Sequence, residues 1–421
     1  MSSEEIFLGL GLTVLLAVGC QLVSARFRVP AIVLLLPVGF GVGHFVPELD
    51  PTTTIGDAFT PLVTLAVAVI LFEGGLELDL SELEGHTQRV VRRLLVLGIP
   101  ITWAGAAFLA APLIGLSSEG ALMLGAILIV SGPTVVGPVL DIARPGRRVS
   151  LILGWEGTTI DPIGALIGAL VFQAISNDVG LVPGAEALDF LHSIGVGVVG
   201  GVAGTAILWF LLSRLRLHGI LATEAILATV VGVAALCDVY RDDTGLLAAI
   251  IMGVAVVNIP AIQMPEDRHF FSTVVQLVIG LLFISISATV SAGAVREVLL
   301  PSVLLLVGLV VVVRPLVAVV ATLRTSLTRG EKAFIGWMDP RGIVAASTAA
   351  TFSVPLAEAG IPEADRLLPA TFLVIVGTVT LYGLTAAPVA RLLRRAEPDE
   401  PGEDAVGLSD EPDRRPPPTD L

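Results

Sequence analysis

The sequence predicts an all-α polytopic membrane protein of 13 transmembrane helices, in which inverted six-helix repeats bring together two crossed discontinuous helices, spans 5 and 12. Three observations lead there. Hydrophobic residues make up 54% of the 421-residue chain and charged residues 15%, with a mean hydropathy of +0.91, which is not a soluble composition. Basic residues collect in alternate loops. Two apolar runs are broken by proline, and carboxylates lie close to those breaks in sequence that would otherwise cross a bilayer unremarked.

The apolar runs fall at 6–24, 30–45, 59–76, 93–113, 120–140, 149–175, 188–212, 220–239, 244–259, 270–289, 298–323, 332–354 and 367–392. The connections between them are short, as a compact helical bundle requires. The start, Met1-Ser2-Ser3-Glu4-Glu5, is acidic where a secretory leader needs positive charge, so the first run is expected to remain a membrane span. Seventeen Lys and Arg fall in the loops of one side, whereas the other side holds Arg241, Arg296 and Arg366 alone. The positive-inside rule then places the N-terminus outside and the C-terminus in the cytoplasm, which demands an odd number of spans. Residues 1–396 form one membrane domain. Residues 397–421 carry nine acids, two arginines and six prolines, contributing half of the net charge of −14, and are expected to be a disordered cytoplasmic tail. Cys20 and Cys237 sit in apolar runs without metal-like spacing, and the five histidines show no clustered spacing.

Ionisable groups inside spans are costly and mark an ion or proton path by default. Span 6 contains Gly154-Trp155-Glu156-Gly157-Thr158-Thr159-Ile160-Asp161-Pro162, with Asp161 near mid-membrane. At about 100° per residue, Glu156 and Asp161 point roughly 140° apart on a helix, while Gly157 and Thr158 share the face of Asp161. The two acids are therefore expected to do different jobs. Arg314 and Arg341 are the basic residues left inside spans, and both need partners. Glu156 is expected to be structural, held by Arg314 or else by Arg341. Glu73, in Leu71-Phe72-Glu73-Gly74-Gly75-Leu76, closes the third run and on position alone is as well read as an interfacial acid.

Span 5 reads Val130-Ser131-Gly132-Pro133-Thr134, and span 12 reads Trp337-Met338-Asp339-Pro340-Arg341-Gly342. Pro133 and Pro340 each remove a backbone donor mid-span, which breaks a helix and frees carbonyls. The interruptions lie seven spans apart, as they would if spans 1–6 recur, inverted, as spans 8–13. Matched broken helices of this kind point to the binding site of a secondary transporter.

These motifs, in this order, resemble the NhaP-type sodium/proton antiporters of the first monovalent cation:proton antiporter family, and Tyr382-Gly383-Leu384-Thr385 with Pro388 in span 13 extends the likeness across nearly the whole membrane part. The resemblance implies a homodimer, with a moving core at about 93–175 and 298–392 and a dimer-forming part at about 1–92 and 188–290. By position, Asp161 matches the essential cation- and proton-binding aspartate, Glu156 the glutamate paired with a membrane arginine, and Glu73 an acid near the ion. Ser131 falls where the family usually has Thr; Thr134 and Thr158 complete the candidate cation-binding set. The sequence departs from the family pattern at Ile160, usually Asn; at Gly132, usually Asp; and at Gly157, usually Ser. Asp339 stands where the family usually has an uncharged residue. Two roles are open to it: compensating the helix N-termini in place of the missing span 5 aspartate, or capping its own helix or pairing with Arg341.

The expected activity is exchange of Na⁺, or a similar monovalent cation, for H⁺ by alternating access, electroneutral because one essential carboxylate is present. No cofactor and no nucleic acid are expected; the partners are the cation, the proton, the lipid bilayer and a second copy. K⁺/H⁺ exchange or a cation channel is the alternative. An intramembrane aspartyl protease would also place two acids in a bilayer, but the flanks of Asp161 are Ile160 and Pro162 and no matching Gly-Asp motif appears.

Overall fold

The computed structural model describes residues 3–27, 29–46, 51–83, 85–176, 185–262 and 268–395, and every regular element among them is helical. The acidic tail lies outside the described residues. In chain order the helices are α1 (Ser3–Phe27), α2 (Ile32–Phe45), α3 (Pro51–Thr54), α4 (Phe59–Leu76), α5 (Gly85–Arg93), α6 (Ile99–Ala110), α7 (Ser118–Ile127), α8 (Pro133–Ala143) and α9 (Arg147–Ser176). They continue as α10 (Ala185–Trp209), α11 (Gly219–Tyr240), α12 (Thr244–Asn258), α13 (Arg268–Ala288), α14 (Ala292–Gly308), α15 (Arg314–Thr322), α16 (Arg329–Trp337), α17 (Ile343–Glu358) and α18 (Leu367–Arg395).

Nine stretches among the described residues are long and apolar enough to cross a bilayer: most of α1, α4, the α5–α6 run, α9, α10, α11, α13, the α14–α15 run and α18. Helices α2, α7, α8, α12 and α17 are shorter apolar elements. The fold is thus a polytopic bundle, and the apolar side chains it leaves exposed, such as Leu15, Leu22, Val199 and Val311, are those a lipid-facing surface needs.

Two joints inside long runs are wound as π-helix rather than α-helix, Leu94–Gly98 before α6 and Leu309–Val313 before α15. Each is followed by a proline near the start of the next helix, Pro100 and Pro315. A proline ring clashes with the carbonyl four residues earlier and offers no N–H to it, so a widened turn relieves both problems. The second π-turn delivers Arg314 to the interior, where it is 3% exposed. The two joints also pack together: a Cβ added to Gly98 would meet Val317 at 3.0 Å, and one on Gly105 would meet Val313 at 2.8 Å.

The Gly74-Gly75 pair explains how α4 reaches the centre. A side chain on Gly75 would strike the Ile250 carbonyl of α12 at 2.8 Å, and one on Gly253 of α12 would strike the Phe72 carbonyl. On its other side Gly74 lies against Thr158 and Pro133, where a Cβ would be 3.1 and 3.3 Å from their side chains. Small residues let backbones approach where lipid supplies no hydrophobic drive for association.

Candidate functional site

Both expected interruptions are present. Helix α7 ends at Ile127 and α8 restarts at Pro133, with Gly132 extended at φ −77° and ψ 148°. Helix α16 begins with a Thr328–Glu331 capping box and ends at Trp337, and α17 restarts after an extended Gly342. The two restarts touch: a Cβ on Gly342 would lie 3.0 Å from both the Cα and the amide nitrogen of Gly132. Gly342 therefore permits a backbone-to-backbone approach that no larger residue there allows without displacement.

Helix α9 runs unbroken through this meeting point despite Pro162. Gly157 lets it press against the first break, since a Cβ there would be 3.1 Å from the Ser131 carbonyl. Asp161 follows one turn later and is 1% exposed. Its Oδ2 lies 3.0 Å from where a Gly132 Cβ would stand, and Thr134 Oγ1 lies 3.3 Å from the same point. Among the described residues, both carboxylate oxygens of Asp161 and the Thr134 hydroxyl are buried without a hydrogen-bond partner. A buried polar group normally has one. These three oxygen atoms lie beside the N-termini of α8 and α17, neither of which carries a side-chain cap.

The neighbouring charges, by contrast, are engaged with one another and with backbone carbonyls, Arg341 Nε alone among the arginine donors here lacking a partner among the described residues. Arg314 grips Glu156 through two donors, Nη1 to Oε1 at 2.6 Å and Nη2 to Oε2 at 2.8 Å, and its Nε donates to the Ile335 carbonyl at 2.9 Å. Arg341 donates from Nη1 to the carbonyls of Ile129 and Val130 at 2.9 and 3.3 Å, and from Nη2 to Asp339 at 2.7 Å. The side chain of the second break thus occupies carbonyls released at the first. Asp339 also lies 3.8 Å from Arg314, so a buried chain of charge runs Glu156–Arg314–Asp339–Arg341. Of the partners open to Glu156, the structure chooses Arg314. Of the local roles open to Asp339, pairing with Arg341 is present, whereas the cap position of α17 belongs to Gly342.

Ser131 is buried in the first break. Thr158 is also buried and forms the inner end of a cavity of about 570 Å³ whose rim includes Glu77, Arg144 and Arg147 and whose wall includes Trp155. The cavity therefore stops one helical turn short of Asp161. Glu73 is half-buried on α4, one residue before the glycine packed on Pro133 and Thr158. Sequence reasoning passed over Thr378, which accepts the Arg341 backbone N–H at 3.2 Å, and Trp155 at the cavity wall. A lone threonine in an apolar run gives no signal, whereas Trp155 adjoins Glu156 in the span 6 motif.

The fold and this centre define a polytopic helical membrane protein in which two interrupted helices frame a buried carboxylate. The family described as sodium/hydrogen exchanger, transmembrane, matches residues 11–392, and the chain belongs to that family. It is 24% identical over 389 residues to the "K(+)/H(+) antiporter NhaP2" of Shewanella sp. (strain ANA-3), a match covering 90% of this chain and 65% of that protein's length. It is 22% identical over 426 residues to the "Probable Na(+)/H(+) antiporter 2" of Methanocaldococcus jannaschii, covering 92% of this chain and 97% of the relative. The solved structure of the sodium proton antiporter MjNhaP1 from Methanocaldococcus jannaschii at pH 8 shares the fold, with a TM-score of 0.78 at 21% identity over 92% of this chain and 99% of that one.

Proposed function

We propose that this protein is a secondary antiporter that exchanges Na⁺, or a similar monovalent cation, for H⁺ by alternating access. The observation that carries the proposal is the Asp161 carboxylate, buried with both oxygens unpartnered among the described residues. Dehydration favours a protonated carboxyl and a bound cation favours the carboxylate, so proton and cation exclude one another at one site. Exchange follows if the loaded or protonated site alone can cross. Asp161 is the shared site, with Thr134, Ser131, Thr158 and Glu73 as candidate cation ligands; Glu156, Arg314, Arg341 and Asp339 hold the breaks together. One such carboxylate gives one proton per cation and electroneutral exchange.

The same reading sets the architecture. The nine long stretches, α2, α12 and the two split pairs α7/α8 and α16/α17 together make thirteen crossings. Spans 4 and 11 each carry a π-turn followed by a proline, and spans 5 and 12 each carry a break. That recurrence at a spacing of seven supports an inverted repeat with crossed discontinuous helices. We place the N-terminus outside, as loop charge suggests, assign the moving core to about 93–175 and 298–392, and assign the remainder to a homodimer interface. The 570 Å³ cavity rimmed by Arg144 and Arg147 is then the cytoplasmic entrance.

The test is cation-induced proton movement in proteoliposomes, comparing Na⁺, Li⁺ and K⁺. Saturable exchange that disappears in Asp161→Asn, with the variant still monodisperse, supports the proposal; full exchange in that variant overturns it. Exchange driven by K⁺ in preference to Na⁺ would favour the second reading, a K⁺/H⁺ antiporter, for which the name of the Shewanella relative speaks. Unsaturable flux without a counter-ion would indicate a channel instead.

A further inference from the structure

We propose that the cleft between α15 and α16 binds an anionic phospholipid, its phosphate held by Arg324 and Lys332 and an acyl chain laid along the apolar wall. The cleft has a volume of about 580 Å³, and its lining includes Val311, Pro315, Val319, Arg324, Lys332 and Trp337. Its wall opens to the lipid side: Val311, Val319 and Leu323 are 64%, 59% and 54% exposed.

The two basic groups at its mouth have nothing else to do. Between Leu309 and Arg341 the sequence holds two acids, Glu331 and Asp339. Glu331 closes the capping box, accepting the Thr328 backbone N–H at 2.7 Å, and Asp339 is taken by Arg341 and faces Arg314. Among the described residues no carboxylate pairs with Arg324 or Lys332. Arg324 is also spared the usual task of a basic residue after a helix, because Arg93 already donates to the Leu323 carbonyl at 2.6 Å. Trp337 turns its polar edge away from the cleft, its Nε1 donating to Thr385 at 3.3 Å, which leaves an aromatic face for hydrocarbon.

Two unpaired cations above an apolar, lipid-facing slot match a ligand with a phosphate at one end and an alkyl chain at the other, and a basic recess between transmembrane helices is the kind of place where anionic headgroups bind. A free phosphate would use the cations but leave the slot unfilled. A zwitterionic lipid would fill the slot but bring its own positive charge to the mouth.

Native mass spectrometry of the full chain tests this, using phosphatidylglycerol, phosphatidylcholine and inorganic phosphate as probes. Wild-type protein should retain phosphatidylglycerol over phosphatidylcholine, and Arg324→Gln with Lys332→Gln should lower that preference on the order of 25-fold, the attraction two basic residues exert near a membrane surface. Val319→Trp, which fills the slot with both charges in place, should lower phosphatidylglycerol retention as well. Equal retention of the two lipids, retention unchanged in both variants, or displacement of phosphatidylglycerol by millimolar phosphate would overturn the proposal. The readout is lipid binding, so it stands apart from the outcome of the transport test.

Discussion

The two helix breaks solve the same physical problem with opposite means. The first, Val130-Ser131-Gly132-Pro133, carries no charge and contributes space and bare carbonyls. The second, Met338-Asp339-Pro340-Arg341-Gly342, carries two charges and spends both on its surroundings: Arg341 reaches the Ile129 and Val130 carbonyls across the gap, and Asp339 pairs with Arg341. Unsatisfied backbone is tolerated at membrane depth when side chains re-satisfy it. Here one break supplies the acceptors and the other supplies the donors. The consequence is that Asp161, lying against the uncharged break, has no hydrogen-bond partner among the described residues, whereas Glu156 faces the charged side and is locked by Arg314.

The strongest way to break this division is to remove the donor that serves both sides. Arg341→Gln removes the nearer of the two cations facing Asp339 and the guanidinium that serves two carbonyls, and losing one member of a buried pair costs about 3–5 kcal/mol. We expect the largest loss of folded yield and thermal stability here, measured by fluorescence-detected size exclusion after heating. Glu156→Gln should come next, near the lower end of that range, because a glutamine oxygen still accepts one bond from Arg314. Either change should destabilise more than Asp161→Asn, whose carboxylate accepts no hydrogen bond among the described residues; equal melting of all three variants would contradict the division.

Much of this was legible beforehand because it rests on rare residues. A proline, an aspartate or an arginine inside an apolar run announces itself, so both breaks and the positions of Glu156, Asp161, Arg314 and Arg341 could be marked from sequence. What could not be read was which charges meet. Glu156 and Arg314 are 158 residues apart, and only the π-turn at Leu309–Val313 and the packing of α9 on α16 decide between Arg314 and Arg341. The glycines were also harder to interpret. Gly132 and Gly157 appear in sequence as missing ligands, but in the fold each makes room: Gly157 for the Ser131 carbonyl and Gly132 for the side chains of Asp161 and Thr134.

That distinction gives a smaller, sharper test. Gly342→Ala would push a methyl group to 3.0 Å from the Gly132 backbone, which cannot yield without separating the breaks, and overpacking of this kind costs about 1–3 kcal/mol. Gly132→Ala would meet the ends of two side chains instead, Asp161 at 3.0 Å and Thr134 at 3.3 Å, which can rotate away. We therefore expect Gly342→Ala to lower the melting temperature more, and Gly132→Ala to raise the apparent KM for the cation more. The reverse order would mean that the approach of the two breaks is loose.

The smallest expected effect is also the most discriminating. If Asp339 merely relocates the charge that the family resemblance leads one to expect on the first break, then adding Gly132→Asp to Asp339→Gly should restore exchange. The geometry argues against recovery. Asp339 works through Arg341 at 2.7 Å and faces Arg314 at 3.8 Å, whereas a side chain at 132 starts 3.0 Å from Asp161 Oδ2. The new carboxylate would crowd Asp161, the proposed ion-binding acid, with a like charge, and Arg341 would still lack its carboxylate partner. Exchange by the double variant in proteoliposomes should thus be no higher than that of Asp339→Gly alone; substantial recovery would show that charge at the crossing matters more than which break carries it.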